Sequence, residues 1–342
     1  MTMTARSRNA WVVAGVALLL AGTAGWLARR ESPPAGPRPR IVLGAEPVPP
    51  CSPLWVAEHN GYFRAEGVEV EIREFESGRT ALFTMLDTGG LDLATAAQTP
   101  VVARSFGRHD YAIIANMMGS DQDVKVLARR DRGIQAAGDL AGKTIGVTSG
   151  SSGHFFLGLF LAYHHLQLAD VTLCDLEPAR LGDALVAGEV DAVATWEPHI
   201  FRARKALGAR GLVLPSRNIY REDFYFIARK AFIQEQPEAL RRFLRAIERG
   251  QQFIHENRAA ARGIVERRLK LDVEMMEATW EGYLFSLTLD QSILAALEDE
   301  ARWALENGLA DATRIPNYLE FLHLDALLAV KPEAVMIAGR QR

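Results

Sequence analysis

The stretch Leu140-Ala141-Gly142-Lys143-Thr144-Ile145-Gly146-Val147-Thr148-Ser149-Gly150-Ser151-Ser152-Gly153 carries a short apolar run into small, hydroxyl-bearing residues just before an aromatic segment opens at His154. Thr144 to Val147 is a β-branched run bounded by Gly142-Lys143 and Ser149-Gly150, the pattern of a buried parallel strand. Phe155, Phe156, Leu159, Phe160 and Tyr163 recur at helical spacing, which predicts a helix to about Leu166 with one apolar face. Backbone N–H groups at its start, the helix dipole and a capping Ser151 or Ser152 make a place where a sulfonate, phosphate, nitrate or carboxylate would be held. The alternative is a plain strand-to-helix turn whose serines cap the helix and bind nothing.

The same alternation extends in both directions. Downstream, Val171 to Leu176 reads as a strand, Arg180 to Ala187 as a helix, and Ala192 to Thr195 as a strand ending at Trp196-Glu197-Pro198. Upstream, Ile41 to Gly44 is an apolar strand, Val48 to Pro53 a loop, and Leu54 begins a helix that Asn60-Gly61 stops. Val68 to Phe75 alternates apolar and polar as a half-exposed strand, Thr80 to Asp87 is helical, and Leu91 to Ala94 and Tyr111 to Ala115 are strands. Strands alternating with helices mean doubly wound, largely parallel sheets, here in two comparable units with a cleft between them. Lys125 to Ala128 and Phe224 to Ala228, apolar extended runs at the unit boundaries, are expected to cross between the units. Beyond Pro237 the pattern is helical, with Leu240, Phe243, Leu244, Ile247 and Gln251 on one side and further helices through Trp280, Leu294, Leu305 and Leu322.

With 342 residues, 49% hydrophobic and 24% charged, the chain has apolar material for two lobes. A formal net charge of −3 with dispersed Lys and Arg argues against nucleic acid as a partner. Cys51 and Cys174 fit neither a disulfide framework nor a zinc site and are read as unpaired thiols. Arg6 and Arg8 precede Ala10 to Ala28, an uncharged apolar run closed by Arg29-Arg30; it enters a membrane as a cleaved export signal or an uncleaved anchor, and both readings stand. The Pro-rich stretch to Pro39 is an extended spacer.

Three stretches together resemble a known family. Trp55 to Val68, with Gly61-Tyr62-Phe63 and Glu66-Gly67, is similar to the opening of the nitrate, sulfonate, taurine and thiamine-precursor substrate-binding proteins of ABC importers. So are Asp139 to Val147 followed by Gly150-Ser151-Ser152, and Ala184 to Ala192 followed by Trp196-Glu197-Pro198. The resemblance implies an α/β, type II periplasmic-binding-protein fold: two doubly wound lobes joined by two crossover strands, lobe 1 from residues 40–126 plus 228–342 and lobe 2 from 127–227, after a membrane segment and spacer over 1–39. It implies a ligand site at Pro50, Cys51, Ser52, Gln98, Thr99, Gly150, Ser151, Ser152, Gly153, Trp196 and Glu197, at the ends of parallel strands. The function it implies is capture of a small anionic solute by hinge closure, outside the cytoplasm, by a monomer that delivers to a membrane permease, without cofactor or metal and without catalysis. Two other functions compete. A thiamine-pyrimidine-forming enzyme of this fold would show a cysteine cluster, absent here, and a membrane-tethered sensor would need a separate protein to signal.

Overall fold

The structure is a computed structural model, described here over residues 38–338. The apolar segment 10–28 lies outside the described residues. Among those described, no helix is long and apolar enough to cross a membrane.

Two mixed sheets organise the chain. The first has seven strands in the order β12 (Val335–Met336), β11 (Leu284–Asp290), β4 (Tyr111–Ser120), β10 (Glu222–Arg229), β3 (Leu93–Ala97), β1 (Arg40–Ala45) and β2 (Glu69–Glu74). The second has five: β7 (Thr172–Asp175), β6 (Thr144–Val147), β8 (Ala192–Thr195), β5 (Lys125–Arg129) and β9 (Gly211–Val213). Each keeps a parallel group at one edge, β3-β1-β2 in the first and β7-β6-β8 in the second. The strands beside the crossings, β4, β10, β5 and β9, run antiparallel to their neighbours, so the sheets are more mixed than the alternation of elements predicts. Strands reached by a short link between sheets have no crossover helix to force a parallel return. The chain passes between sheets at 121–124 and again at 214–221, and the runs expected to cross are the first strands after each passage, β5 and β10.

Several boundaries differ from the sequence pattern. The loop before Leu54 is a 3₁₀ turn, Pro49–Cys51, running straight into the Ser52–His59 helix, because prolines suit a first helical turn. β3 extends to Ala97, and Gln98 opens the Gln98–Ser105 helix, so Gln98 and Thr99 are helical. The aromatic helix spans Ser152–Tyr163; His165, with φ 61°, ends it before Leu166. Its apolar face is wider than the periodicity indicates, with Ser152 through Gly158 all buried, while Tyr163 is exposed. The purely helical reading after Pro237 misses β11, which alternates buried and partly exposed residues next to β4. The Pro237–Glu256 helix does bury Leu240, Phe243, Leu244, Ile247 and Gln251.

One large core holds the first sheet, including Trp55, Phe226 and Phe243. The second sheet lies between two smaller cores, one under Phe155, Phe156 and Phe160 and one under Leu181, Leu185 and Ile200. Helices on both faces pin the sheets, so the strand ends facing across the cleft become fixed platforms.

Candidate functional site

A cavity with about 440 Å³ of empty space, its mouth to solvent included, lies where strand ends of the two sheets meet. The first sheet supplies Glu46, Val48 and Pro50 after β1, Ser77, Gly78 and Arg79 at the start of the Gly78–Thr88 helix, and Ala97 and Pro100 at the end of β3 and just beyond it. The second supplies Thr148, Ser151 and Ser152 after β6 and Trp196 after β8. The two passages between sheets add Asp123 and, at the start of β10, Glu222 with Phe224. β10 begins at the edge where its parallel neighbours end, because it runs antiparallel to them.

Of the residues expected from sequence, Pro50, Ser151, Ser152 and Trp196 line this cavity. The serines do not act as the expected caps. Ser151 is the N-cap by position, but its Oγ donates to Thr148 O at 2.7 Å, and Ser152 hydrogen-bonds to the Glu222 carboxyl. Gly153 is buried where the helix meets β8: a Cβ there would stand 2.6 Å from Ala194 O, so only glycine lets the backbones approach. Gly150 N donates to His154 Nδ1 at 3.3 Å. His154 is buried, and desolvation holds its pKa below the usual imidazole range.

The other expected residues sit behind the cavity wall. Ser52 Oγ donates to Pro49 O at 2.5 Å. Cys51 is fully buried with its thiol 3.6 Å from Thr95 Oγ1, and burial pushes its pKa up, so it stays a thiol. Cys51 and Cys174 are both free. Gln98 braces the second passage: its Nε2 donates to Arg221 O at 2.9 Å, and its Oε1 accepts from Asp223 N at 2.8 Å and Tyr220 OH at 3.0 Å. Thr99 is buried beside Glu300. Glu197 takes Lys125 Nζ at 2.6 Å and Phe201 N at 2.9 Å.

Three carboxyls that the sequence reading passed over dominate the chemistry. Glu46 is buried and joins the two sides: Gly78 N donates to its Oε2 at 2.8 Å and Trp196 Nε1, from the other sheet, to its Oε1 at 2.9 Å. Burial raises its pKa to about 7 against the pull of those two bonds. Asp123 takes the Tyr283 hydroxyl at 2.5 Å on Oδ1, while its buried Oδ2 has no partner; burial lifts its pKa to about 7. Glu222 is driven well above the carboxylate range by burial and then by the Asp123 charge. Their signal in the sequence is positional: Glu46 follows the apolar strand Ile41 to Gly44, Asp123 precedes Val124 at one unit boundary, and Glu222 precedes Phe224 at the other. Arg79 is half-buried, with its side chain near Gly150.

Two further contacts bridge the halves. Trp303, in the Gln291–Glu306 helix, meets Phe155 and His154 edge-on at ring-centre distances of 5.1 and 5.3 Å. Lys205 Nζ reaches Asp272 at 2.6 Å on the exposed rim.

Two α/β halves with converging strand ends and a cavity between them, lined by apolar and acidic side chains, define a protein of the periplasmic-binding-protein fold. The alkanesulfonate-binding protein SsuA from Xanthomonas axonopodis pv. citri, solved bound to MOPS, superposes with a TM-score of 0.70 at 20% identity, over 89% of this chain and 100% of that one. Residues 49–261 match the NMT1/THI5-like family model, and the chain belongs to that family. A protein of Bacillus subtilis strain 168 that carries the name aliphatic sulfonates-binding protein is 31% identical over 231 residues, 66% of this chain and 69% of the relative. The taurine-binding periplasmic protein of Escherichia coli K12 is 25% identical over 219 residues, 60% of this chain and 64% of the relative.

Proposed function

We propose that this chain is the extracytoplasmic solute-binding protein of an ABC importer and that it captures a small solute by closing its two halves, lobe 1 (40–126 plus 228–342) against lobe 2 (127–227). The observation that carries the reading is the cavity lined from both sheets and spanned by the Trp196–Glu46 hydrogen bond. Closure of this kind is favoured by contacts a ligand makes only when both lobes surround it. The relatives supply the rest of the reading: delivery to a membrane permease, and a solute with an acidic group of the sulfonate, taurine or nitrate kind. Arg79, beside the start of the Ser152–Tyr163 helix, supports an acidic group at that end of the cavity. Pro50, Ser151, Ser152 and Trp196 are the sequence-derived positions assigned to ligand contact, joined by Ser77, Arg79, Asp123 and Glu222. The segment 10–28 would export the chain or hold it at the membrane.

Binding rather than catalysis fits the chemistry, since the Cys51 thiol is sealed behind the wall. A thermal-shift screen of sulfonates, nitrate, taurine, pyrimidines and aromatic carboxylates tests the proposal. A compound that binds only the native state raises Tm with its concentration. A screen in which no compound does so, with the protein folded, would contradict the reading.

A further inference from the structure

Three buried carboxyls line the cavity, a setting at odds with capture of a simple anion. Asp123 and Glu222 stand at the two passages between the sheets, both buried and both lining the cavity, and Asp123 Oδ2 has no hydrogen-bond partner. Glu46 differs from them, because both its oxygens are already engaged by Gly78 and Trp196. The cations nearby make no hydrogen bond to the pair, and Lys125 acts on Asp123 only through its charge. Lys125 is committed to Glu197, and Arg79 lies towards Gly150. Glu222 shares a hydrogen bond with Asp123 and is held protonated well above the ordinary carboxylate range, so an incoming anion would meet the Asp123 charge in a low-dielectric pocket, which costs far more than the same encounter in water. An orphaned acceptor oxygen instead requires a donor.

Resting on the solute-binding reading above, we infer that the solute presents a nitrogen cation, an ammonium or amidinium group, to Asp123 and Glu222 at the hinge. The cation would supply a donor to Asp123 Oδ2 and offset the repulsion that ionising both carboxyls would create. Seated between both passages, it would tie ligand recognition directly to the segments that bend. Among the described residues no three acidic, His or Cys side chains are grouped to hold a metal ion, whereas carboxyls spread around a cavity suit a larger nitrogen cation. The inference narrows the solute class: an acidic group at the Arg79 end is compatible with it, but nitrate and nitrogen-free sulfonates are not.

The sign of the pH dependence follows from the groups around the pair. Asp123 faces Tyr283, Lys125, Glu197 and Glu222; Glu222 faces Asp123, Ser152 and Glu46. Both carboxyls are held above their ordinary range; Asp123, raised to about 7, loses its proton as pH rises through neutrality, and affinity for a cation rises with that charge. An anionic ligand without nitrogen would show the opposite slope.

The test uses the full-length chain and matched pairs that differ in one nitrogen group: taurine and ethanesulfonate, γ-aminobutyrate and butyrate, benzamidine and benzamide. Thermal shift and calorimetry follow each from about pH 6 to about pH 8, across the range where Asp123 titrates. The expected result is stabilisation by nitrogen-cation members alone, tightening with pH. Asp123→Asn and Glu222→Gln should each weaken it at least roughly tenfold while keeping the Tm of the unliganded protein, because a buried acidic group is removed. The wild-type pH slope decides the matter even if a variant fails to fold. Equal or stronger stabilisation by the member of a pair that lacks the nitrogen cation, or affinity that falls with pH, overturns the inference and leaves the binding-protein reading standing. Stabilisation by no pair also overturns it, and the wider screen then decides that reading separately.

Discussion

Trp196→Phe isolates the hydrogen bond that spans the cleft. Phenylalanine keeps the aromatic wall of the cavity but removes the Nε1 donor that reaches Glu46 Oε1 at 2.9 Å. In the closed arrangement the carboxyl, 4% exposed, would retain only the Gly78 amide on its other oxygen. When the lobes part, water can replace the missing donor, so the loss falls on the closed state. Hydrogen bonds to charged groups contribute about 1.5–3 kcal/mol. Carried wholly by closure, that is a roughly 10- to 150-fold weaker Kd. Calorimetry above the Glu46 pKa of about 7, where the carboxyl is ionised, reads the effect most fully. The unliganded variant should melt close to wild type. An affinity within about twofold of wild type, or a loss matched by an equal fall in unliganded stability, would refute the reasoning, because the bond would then serve the fold and not closure. The exposed Lys205–Asp272 pair is the control: its removal should cost no more than about 1 kcal/mol, because water screens it.

Other outcomes follow from the same geometry. Replacing Ser151 and Ser152 together with leucine should abolish solute binding in calorimetry, since both are buried and line the cavity, while circular dichroism stays native. Gly153→Ala places a methyl 2.6 Å from the Ala194 carbonyl; such overpacking costs about 1–3 kcal/mol, and Tm should fall by roughly 2–4 °C for each kcal/mol. Raised carboxyl pKa values at Glu46 and Asp123, both about 7, and at Glu300, about 8, mean the folded state binds more protons than the unfolded one. Their contribution is whole below the unfolded carboxyl range and is lost as pH rises through 7 to 8. His199, depressed to about 4, acts oppositely only below its unfolded value of 6.5. Unliganded Tm should therefore decline from about pH 6.5 to about pH 8.5, and a flat or rising profile would contradict the burial of these acids.

The layered fold was legible because its parallel strands are apolar runs with clear ends. Thr144 to Val147, Ala192 to Thr195 and Ile41 to Gly44 all lie within strands of the structure. Chain topology was harder to read. β11 alternates like a surface strand within a helical region, and the antiparallel entry of β10 depends on a link whose path no local pattern encodes. The resemblance places Gln98 at the ligand site, while its three bonds go to Tyr220, Arg221 and Asp223, more than a hundred residues away, a connection no local pattern carries. The carboxyls were missed for a related reason. Glu46, Asp123 and Glu222 look like ordinary solvated charges beside strands until folding buries all three around one space.

Closure itself is the claim to measure. Small-angle X-ray scattering of the full-length chain, with and without a solute that raises its Tm, reads the change directly. The account predicts a smaller radius of gyration when the solute is bound, with the shrinkage reduced in Trp196→Phe. An unchanged radius at saturating solute would contradict it.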